Sequence, residues 1–384
     1  MDKKKSIFLR IDKKDAQKFL DILPSKLNGL QVINSKFHVI QENNFVFFPI
    51  KNDKQIRGIL RNQLGAKLNF TFLKRIGTLK QNYKFRTIEE ALTEELPKKY
   101  FELIPNSYDI IGKIAILEFD IIDKLKKKEY TKIKKKIAKA TTLVNKNVAT
   151  VYEKKSEVYG TYRIRKLKFL YGDKVADTIH HENSCKFKLN VKKVYFTPRL
   201  NFERKRITSC NIKKGEIIAD LFAGVGPFSI EIAKMHDVKI FAFDINPKAV
   251  LYLKENITLN KMKGEIIPFQ INVHDLLNSN NQIGLNIKNS VDRVIMNLPE
   301  SSIHYLRVAC HLLKNQGGII HFYQFSEKPN PIQRAIESLK FELKKNDWRI
   351  VDILSSKKVK SYSPKSELVA LDVYVNKMVK KEQN

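Results

Sequence analysis

Apolar residues change rhythm along this chain near residue 215. Beyond that point, short β-branched runs alternate with stretches of helical spacing. Glu216-Ile217-Ile218-Ala219, Ile240–Asp244, Ile266–Ile271, Val291–Met296 and Ile319–Tyr323 read as strands of a sheet buried on both faces. Between them, Phe228–Lys234, Pro247–Asn260 and His304–Leu313 read as helices, the second with proline in its first turn. This alternation predicts an α/β fold with a doubly wound sheet, and Arg349–Leu354 with Leu368–Val375 predict a terminal hairpin.

Before residue 215 the pattern is mixed. Ile7–Ile11 reads as a strand and Asp15–Leu23 as a helix. Phe37–Ile40 and Phe45–Phe48 read as two strands joined by a turn at Glu42-Asn43-Asn44, with Pro49 stopping the second. Ile56–Leu64 and Thr87–Leu96 look helical, and the basic stretch between them reads as a connector ending near Pro105. A second module begins at Ser107, where Tyr108–Phe119 reads as a turn into a strand. The expected organisation is therefore 1–105 as an N-terminal module with its connector, 106–192 as a middle α+β domain, and 193–384 as the α/β domain.

Charge sharpens the picture. Lys+Arg number 72 against Asp+Glu 40, a net +32 over 384 residues. Such an excess favours a polyanionic partner, nucleic acid before membrane. It is densest at Lys124, Lys126, Lys127, Lys128, Lys132, Lys134, Lys135, Lys136 and Lys139, where Ile133 and Ile137 recur at helical spacing. One face of that helix would pack and the rest would meet phosphates. Cys185, Cys210 and Cys310 are odd in number and scattered, as in a reducing cytoplasm. No apolar run reaches spanning length, so no membrane is expected, and His180, His181 and Cys185 have no standard zinc spacing, so no metal is expected.

The candidate chemistry centres on Asp220-Leu-Phe222-Ala223-Gly224-Val-Gly226-Pro227-Phe228, which joins the first strand of the α/β region to its helix. A strand, a glycine turn and a helix N-terminus make the usual nucleotide-edge site of an open sheet, with glycines admitting a ligand against bare backbone. A dinucleotide site would carry a third glycine, which is absent here. Asp244, closing the next strand, can accept both hydroxyls of a ribose. The combination favours S-adenosylmethionine over a dinucleotide or a bare turn.

Two other stretches stand out. Asn297-Leu298-Pro299 ends a strand where its amide and carbonyls can bond the edge of a planar base. Pyrimidine C5 methylation calls for a thiolate beside the donor, and Cys310 lies a helix away, so a ring nitrogen is the expected acceptor. Val194-Tyr195-Phe196-Thr197-Pro198-Arg199-Leu200-Asn201-Phe202-Glu203-Arg204 mixes aromatic and charged residues just ahead of the cofactor strand.

Taken together, Tyr195–Leu200 with Glu203-Arg204, then Asp220–Ile230, then Asn297-Leu298-Pro299 resemble the archaeal and eukaryotic tRNA (guanine-37, N1) methyltransferases. Ser107–Phe119 resembles the start of that family's middle domain and Val359–Pro364 its C-terminal motif. The resemblance implies a class I (Rossmann-like) methyltransferase domain behind smaller N-terminal α+β domains. It also implies S-adenosylmethionine as donor and tRNA as partner, with a monomer expected. By family pattern Glu203 is the base, Arg163 steadies the guanine O6, Asn297 and Pro299 hold the base edge, and Tyr195 lies beside cofactor and base. The cofactor side would be Asp220, Phe222, Ala223, Gly224, Gly226, Asp244, Asn272 and Asn297. Asn272 stands where the family usually has an acidic residue near the adenine. The cofactor loop is shared with wyosine-pathway relatives, which methylate a later tricyclic base or transfer an aminocarboxypropyl group. A non-catalytic tRNA-binding protein is the third alternative.

Overall fold

The computed structural model describes residues 3–26, 32–80, 83–120 and 125–378. The chain divides into two units, the first ending at Arg86 and the second starting at Thr87.

In the first unit, a four-stranded antiparallel sheet runs in the order Ile40–Glu42, Phe45–Ile50, Lys3–Asp12, Phe70–Thr78. Leu9, Ile11, Val46, Phe48 and Ile50 meet Phe19 and Leu60 in its core, using the helices Ala16–Lys26 and Lys54–Leu64. The expected turn forms at Asn43, whose φ of 51° an asparagine tolerates well. Pro49 does not stop its strand. It sits opposite Phe8, beyond the last residue paired by the short strand Ile40–Glu42, where a missing N–H costs little.

The stretch 87–105 runs with the second unit. There Tyr108–Phe119 forms two strands rather than one, Tyr108–Ile111 and Ile114–Leu117, because Gly112 turns the chain at φ 55°. The lysine-rich helix Lys127–Val144 crosses from Ile114–Leu117 to its parallel neighbour Thr150–Lys154, and Leu167–Gly172 completes a four-stranded sheet. Ile133 and Ile137 are buried as their spacing requires. Lys127, Lys128, Lys132 and Lys135 are exposed, whereas Lys134 bonds Glu153 at 2.6 Å and Lys136 bonds the Glu95 carbonyl. Lys124 lies outside the described residues.

The large sheet has seven strands. Its order is Glu265–Gln270, Lys239–Asp244, Ile217–Asp220, Arg293–Met296, Gly318–Glu327, Ser366–Lys377, Trp348–Ser363. The first five are parallel and the last two close it as an antiparallel hairpin, longer than the sequence pattern suggested. Successive residues face opposite sides, so Ile218, Ile240 and Ala242 enter one core while Ala219, Leu221 and Phe243 enter another. Strand order reverses between Ile217–Asp220 and Arg293–Met296, and the crevice beyond their C-terminal ends is where an open α/β sheet binds its ligand.

Candidate active site

The crevice is a cavity whose lining includes Phe222, Ala223, Gly224, Asp244 and Asn272. Gly224 takes φ 57° and donates its N–H to Asp244 Oδ2 at 2.8 Å, so the acidic residue braces the glycine loop. Asp244 Oδ1 accepts the Asn246 N–H at 2.8 Å. Each oxygen keeps a second lone pair for a ligand hydroxyl. Burial raises the Asp244 pKa, and these two N–H groups oppose that rise. A Cβ on Gly224 would meet nothing closer than the Tyr195 carbonyl oxygen at 4.0 Å, so that side of the loop stays open to a ligand.

Gly226 and Asp220 serve the loop from behind. Neither lines the cavity. Gly226 has φ 90°, and a Cβ there would come 2.3 Å from Leu253 Cδ1 and 3.0 Å from Ile230 Cδ1. Conformation and packing against the following helices are enough to demand glycine there. Asp220 is 1% exposed and accepts the Ser229 hydroxyl at 2.7 Å, while its Oδ1 has no partner. Burial pushes its carboxyl up to about 7. Asn272 does face the cavity, but its side-chain oxygen also caps the next turn by accepting the His274 N–H at 3.1 Å.

Arg163, Tyr195, Asn297 and Pro299 line the same cavity. Ser302 fixes the turn 297–299 by accepting the Leu298 N–H at 3.1 Å and donating to the Met296 carbonyl at 3.0 Å. The Pro299 carbonyl is occupied by the Phe325 N–H at 3.1 Å. Asn297 Oδ1 is buried without a partner, an acceptor placed for an N–H that the protein itself does not supply. Two guanidiniums lie over the Tyr195 ring, with Arg163 Cζ 5.5 Å and Arg165 Cζ 5.3 Å from its centre. Arg163 holds φ 53°, a conformation that costs an arginine roughly 1 kcal/mol, at the end of a tight turn from Gly160. Asp109 ties Arg199 at 2.6 Å and Arg165 at 3.3 Å. Lys360 also reaches the cavity, its pKa lowered by burial and by Arg199 and Arg165 nearby.

Glu203 stands apart from these. It is 2% exposed and does not line the cavity, although Leu200 and Arg204 on either side of it do. Its Oε2 accepts Arg206 at 3.0 Å and the Tyr323 hydroxyl at 3.1 Å, and its Oε1 contacts the Lys357 ammonium. Arg204 is held by Glu182 at 2.7 Å and donates to the Thr197 carbonyl at 3.1 Å, which anchors the Tyr195–Leu200 stretch. Sequence reasoning missed Tyr162, Tyr305, Phe325 and Lys360 as cavity residues. Only Lys360 carried a signal, as part of the stretch 359–364. His180 of the rejected metal set accepts the Gly112 N–H at 3.1 Å, and Cys185 is a buried thiol pushed up to about 11 by burial.

A family profile described as the TRM5/TYW2 methyltransferase domain matches residues 178–351, and one described as the TYW2 N-terminal domain matches residues 88–175. Across 93% of its length, the chain is 33% identical to 96% of the tRNA (guanine(37)-N(1))-methyltransferase Trm5b of Pyrococcus abyssi. This chain belongs to the TRM5/TYW2 methyltransferase family. The structure of aTrm5 in complex with tRNALeu matches 96% of this chain and all of its own, at 32% identity and a TM-score of 0.66. The Pyrococcus horikoshii TYW2 structure in complex with MeSAdo matches 75% of this chain and 98% of its own, at 28% identity and a TM-score of 0.61. The Rossmann-like α/β fold behind a separate N-terminal unit agrees with these relatives, and so does the family read from the sequence.

Proposed function

We infer that this chain is a tRNA (guanine-37, N1) methyltransferase that uses S-adenosylmethionine as methyl donor and binds tRNA. The reading is carried by one juxtaposition: the Gly224–Asp244 cradle and the Asn297-Leu298-Pro299 turn open into a single cavity. Correspondence along nearly the whole chain with Trm5b and with tRNA-bound aTrm5 supports guanine over a wyosine-type base, since the TYW2 structure corresponds to only 75% of the chain.

The residues present fit the donor. Asp244 would hold the ribose hydroxyls, and Phe222 and Asn272 would border the adenosine. Gly224 leaves room for close approach. When bound, S-adenosylmethionine supplies an electrophilic methyl group on a sulfonium sulfur.

The chain's own groups handle the base. Guanine N1 carries a proton at neutral pH and becomes nucleophilic only when that proton leaves. The free Asn297 amide oxygen suits an N–H on the base edge, and Pro299 and Tyr195 confine the ring. As N1 loses its proton, negative charge moves toward O6, where the Arg163 guanidinium would stabilise it. Glu203 is the proposed proton acceptor. Its carboxylate would have to exchange its Lys357 contact for the base. A second assignment is favoured by one observation: Glu300, directly after Pro299, is 43% exposed and paired with Arg163, so a carboxylate already stands beside the guanidinium.

We propose further that the first unit takes part in tRNA recognition and that the chain works as a monomer in the cytoplasm. No helix among the described residues is long and apolar enough to cross a membrane. The decisive experiment is mass spectrometry of nucleosides from unmodified tRNA incubated with protein and donor. Appearance of 1-methylguanosine at position 37 is expected. Absence of 1-methylguanosine from that reaction, with methylation seen only in a parallel reaction on tRNA that already carries a tricyclic base, would overturn the reading, and so would no product on either.

A further inference from the structure

The hairpin that carries Arg163 holds two side chains with no part in the chemistry above. Tyr159 and Tyr162 are 51% and 45% exposed. The hairpin is closed by paired hydrogen bonds between Tyr159 and Ile164, at 3.1 and 3.2 Å, around Gly160 at φ 67°. Its tip joins two hollows. Thr161 and Tyr162 line the main cavity, and together with Tyr159 they line a second, more open hollow that shares Ile245 with the first. The Lys166 ammonium lies 5.3 Å from the centre of the Tyr159 ring, and Lys166 is exposed. Two part-exposed aromatic rings thus border the hollow beside the cavity that takes the target base, and a cation stands over one of them.

We propose that this hairpin is a stacking platform for the unpaired nucleotide next to the target guanine. Tyr159 takes the neighbouring base on its ring, Lys166 meets the phosphate, and Tyr162 guards the passage between the two hollows. This rests on the reading of the chain as a tRNA guanine methyltransferase. A base methylated inside a deep cavity must first be turned out of its stack, which strips its neighbour of a stacking partner. An exposed aromatic face beside a cation replaces that partner for any of the four bases. A net charge of +32 favours a polyanion over a protein at such a surface.

The test uses the full chain and two tRNA transcripts, each with 2-aminopurine replacing one neighbour of the target guanine. Wild-type protein is expected to change the fluorescence of one transcript, Tyr159→Phe to reproduce the change, and Tyr159→Ala to abolish it. Tyr159→Ala should also weaken tRNA affinity by about 5- to 100-fold, the loss of one base–aromatic stack. An abasic site at that neighbour should erase the difference between wild type and Tyr159→Ala. Unchanged S-adenosylmethionine affinity shows that the variants fold.

An unaltered fluorescence response in Tyr159→Ala overturns the proposal, and so does an equal affinity loss on the abasic transcript. If the alanine variant instead changes only the mass of the protein in solution, the tyrosines serve self-association and the platform is wrong. Failure of wild type to form 1-methylguanosine would strike the underlying function and is read separately by nucleoside analysis.

Discussion

Arg163 grips Glu300 with both arms of its guanidinium, Nη1 to Oε2 at 2.7 Å and Nη2 to Oε1 at 3.2 Å. A fork engaged in this way has few N–H groups left for a guanine O6. The two residues therefore compete with substrate for each other.

If Glu300 only masks Arg163, Glu300→Gln should leave single-turnover methylation within about fivefold of wild type, because partly exposed ion pairs contribute about 1 kcal/mol or less. If Glu300 is the base, the same change should slow the step by about 10²–10⁴-fold. Arg163→Ala should be slower by about 10²–10³-fold in either case, the usual cost of losing a donor at a developing oxyanion. A rate near wild type for Arg163→Ala would remove it from the site.

The cofactor loop makes a prediction that separates its two glycines. Gly224→Val should weaken S-adenosylmethionine binding in calorimetry, because its open side faces the ligand. Gly226→Val should chiefly lower the melting temperature, since its side chain would strike Leu253 and Ile230. Asp244→Ala should weaken binding as well, by removing the ribose acceptor and the brace on Gly224. Unchanged affinity in folded Gly224→Val and Asp244→Ala would refute the assignment.

Much of this architecture is legible in the sequence. The parallel strands and the glycine turn follow from continuous apolar runs and from glycines at fixed offsets, and both are local signals. Asp220 was harder. Its place next to the loop suggested a ligand contact, but a strand-end residue points either into the crevice or beneath it, and this one lies beneath, under Ser229. Glu203 is similar: sequence places it one helical turn past Leu200, but not that Lys357, 154 positions further on, would hold it behind the wall. Such partners come from strand register across the closing hairpin, which no local pattern encodes. Tyr305 and Phe325 reach the cavity for the same non-local reason.

Binding to tRNA should fall steeply with salt. Exposed lysines on the helix Lys127–Val144 and the charge excess predict that log affinity declines linearly with log salt, by about 0.7–0.9 per phosphate neutralised. Replacing Lys128, Lys132 and Lys135 together by Gln should make the slope shallower without changing donor affinity. A slope equal to that of wild type would take this helix out of the interface.

Asp220 should leave a mark on stability. Burial raises its carboxyl from 3.8 to about 7 in the folded chain. Between those values the folded state holds a proton that the unfolded state has released. The contribution of this group is therefore greatest below pH 4, is lost as pH rises toward 7, and is constant above. Urea unfolding of Asp220→Asn, without donor, should show that part of the pH slope removed, so that the variant gains on wild type between pH 4 and 7. Parallel slopes would mean that Asp220 is ionised throughout.

The chemical step turns on Glu203. Its carboxylate is shielded by Arg206, Tyr323 and Lys357, and of these Lys357 is the most exposed, with a side chain 38% accessible against 21% for Arg206 and a buried Tyr323. Lys357 is thus the contact that an arriving tRNA phosphate can most readily draw away. If Glu203 then takes the N1 proton, Glu203→Gln keeps the size of the side chain and should slow single-turnover methylation by about 10²–10⁴-fold. Affinity for tRNA and donor should change far less. Single-turnover conditions matter, because slow product release hides chemistry in the steady state. Lys357→Gln should leave the saturated single-turnover rate undiminished, since the partner it removes is one the base must leave anyway. A normal rate in Glu203→Gln together with a collapsed rate in Glu300→Gln would move the base to the rim of the cavity and leave Glu203 as the charge that holds Arg206 and Lys357 in place.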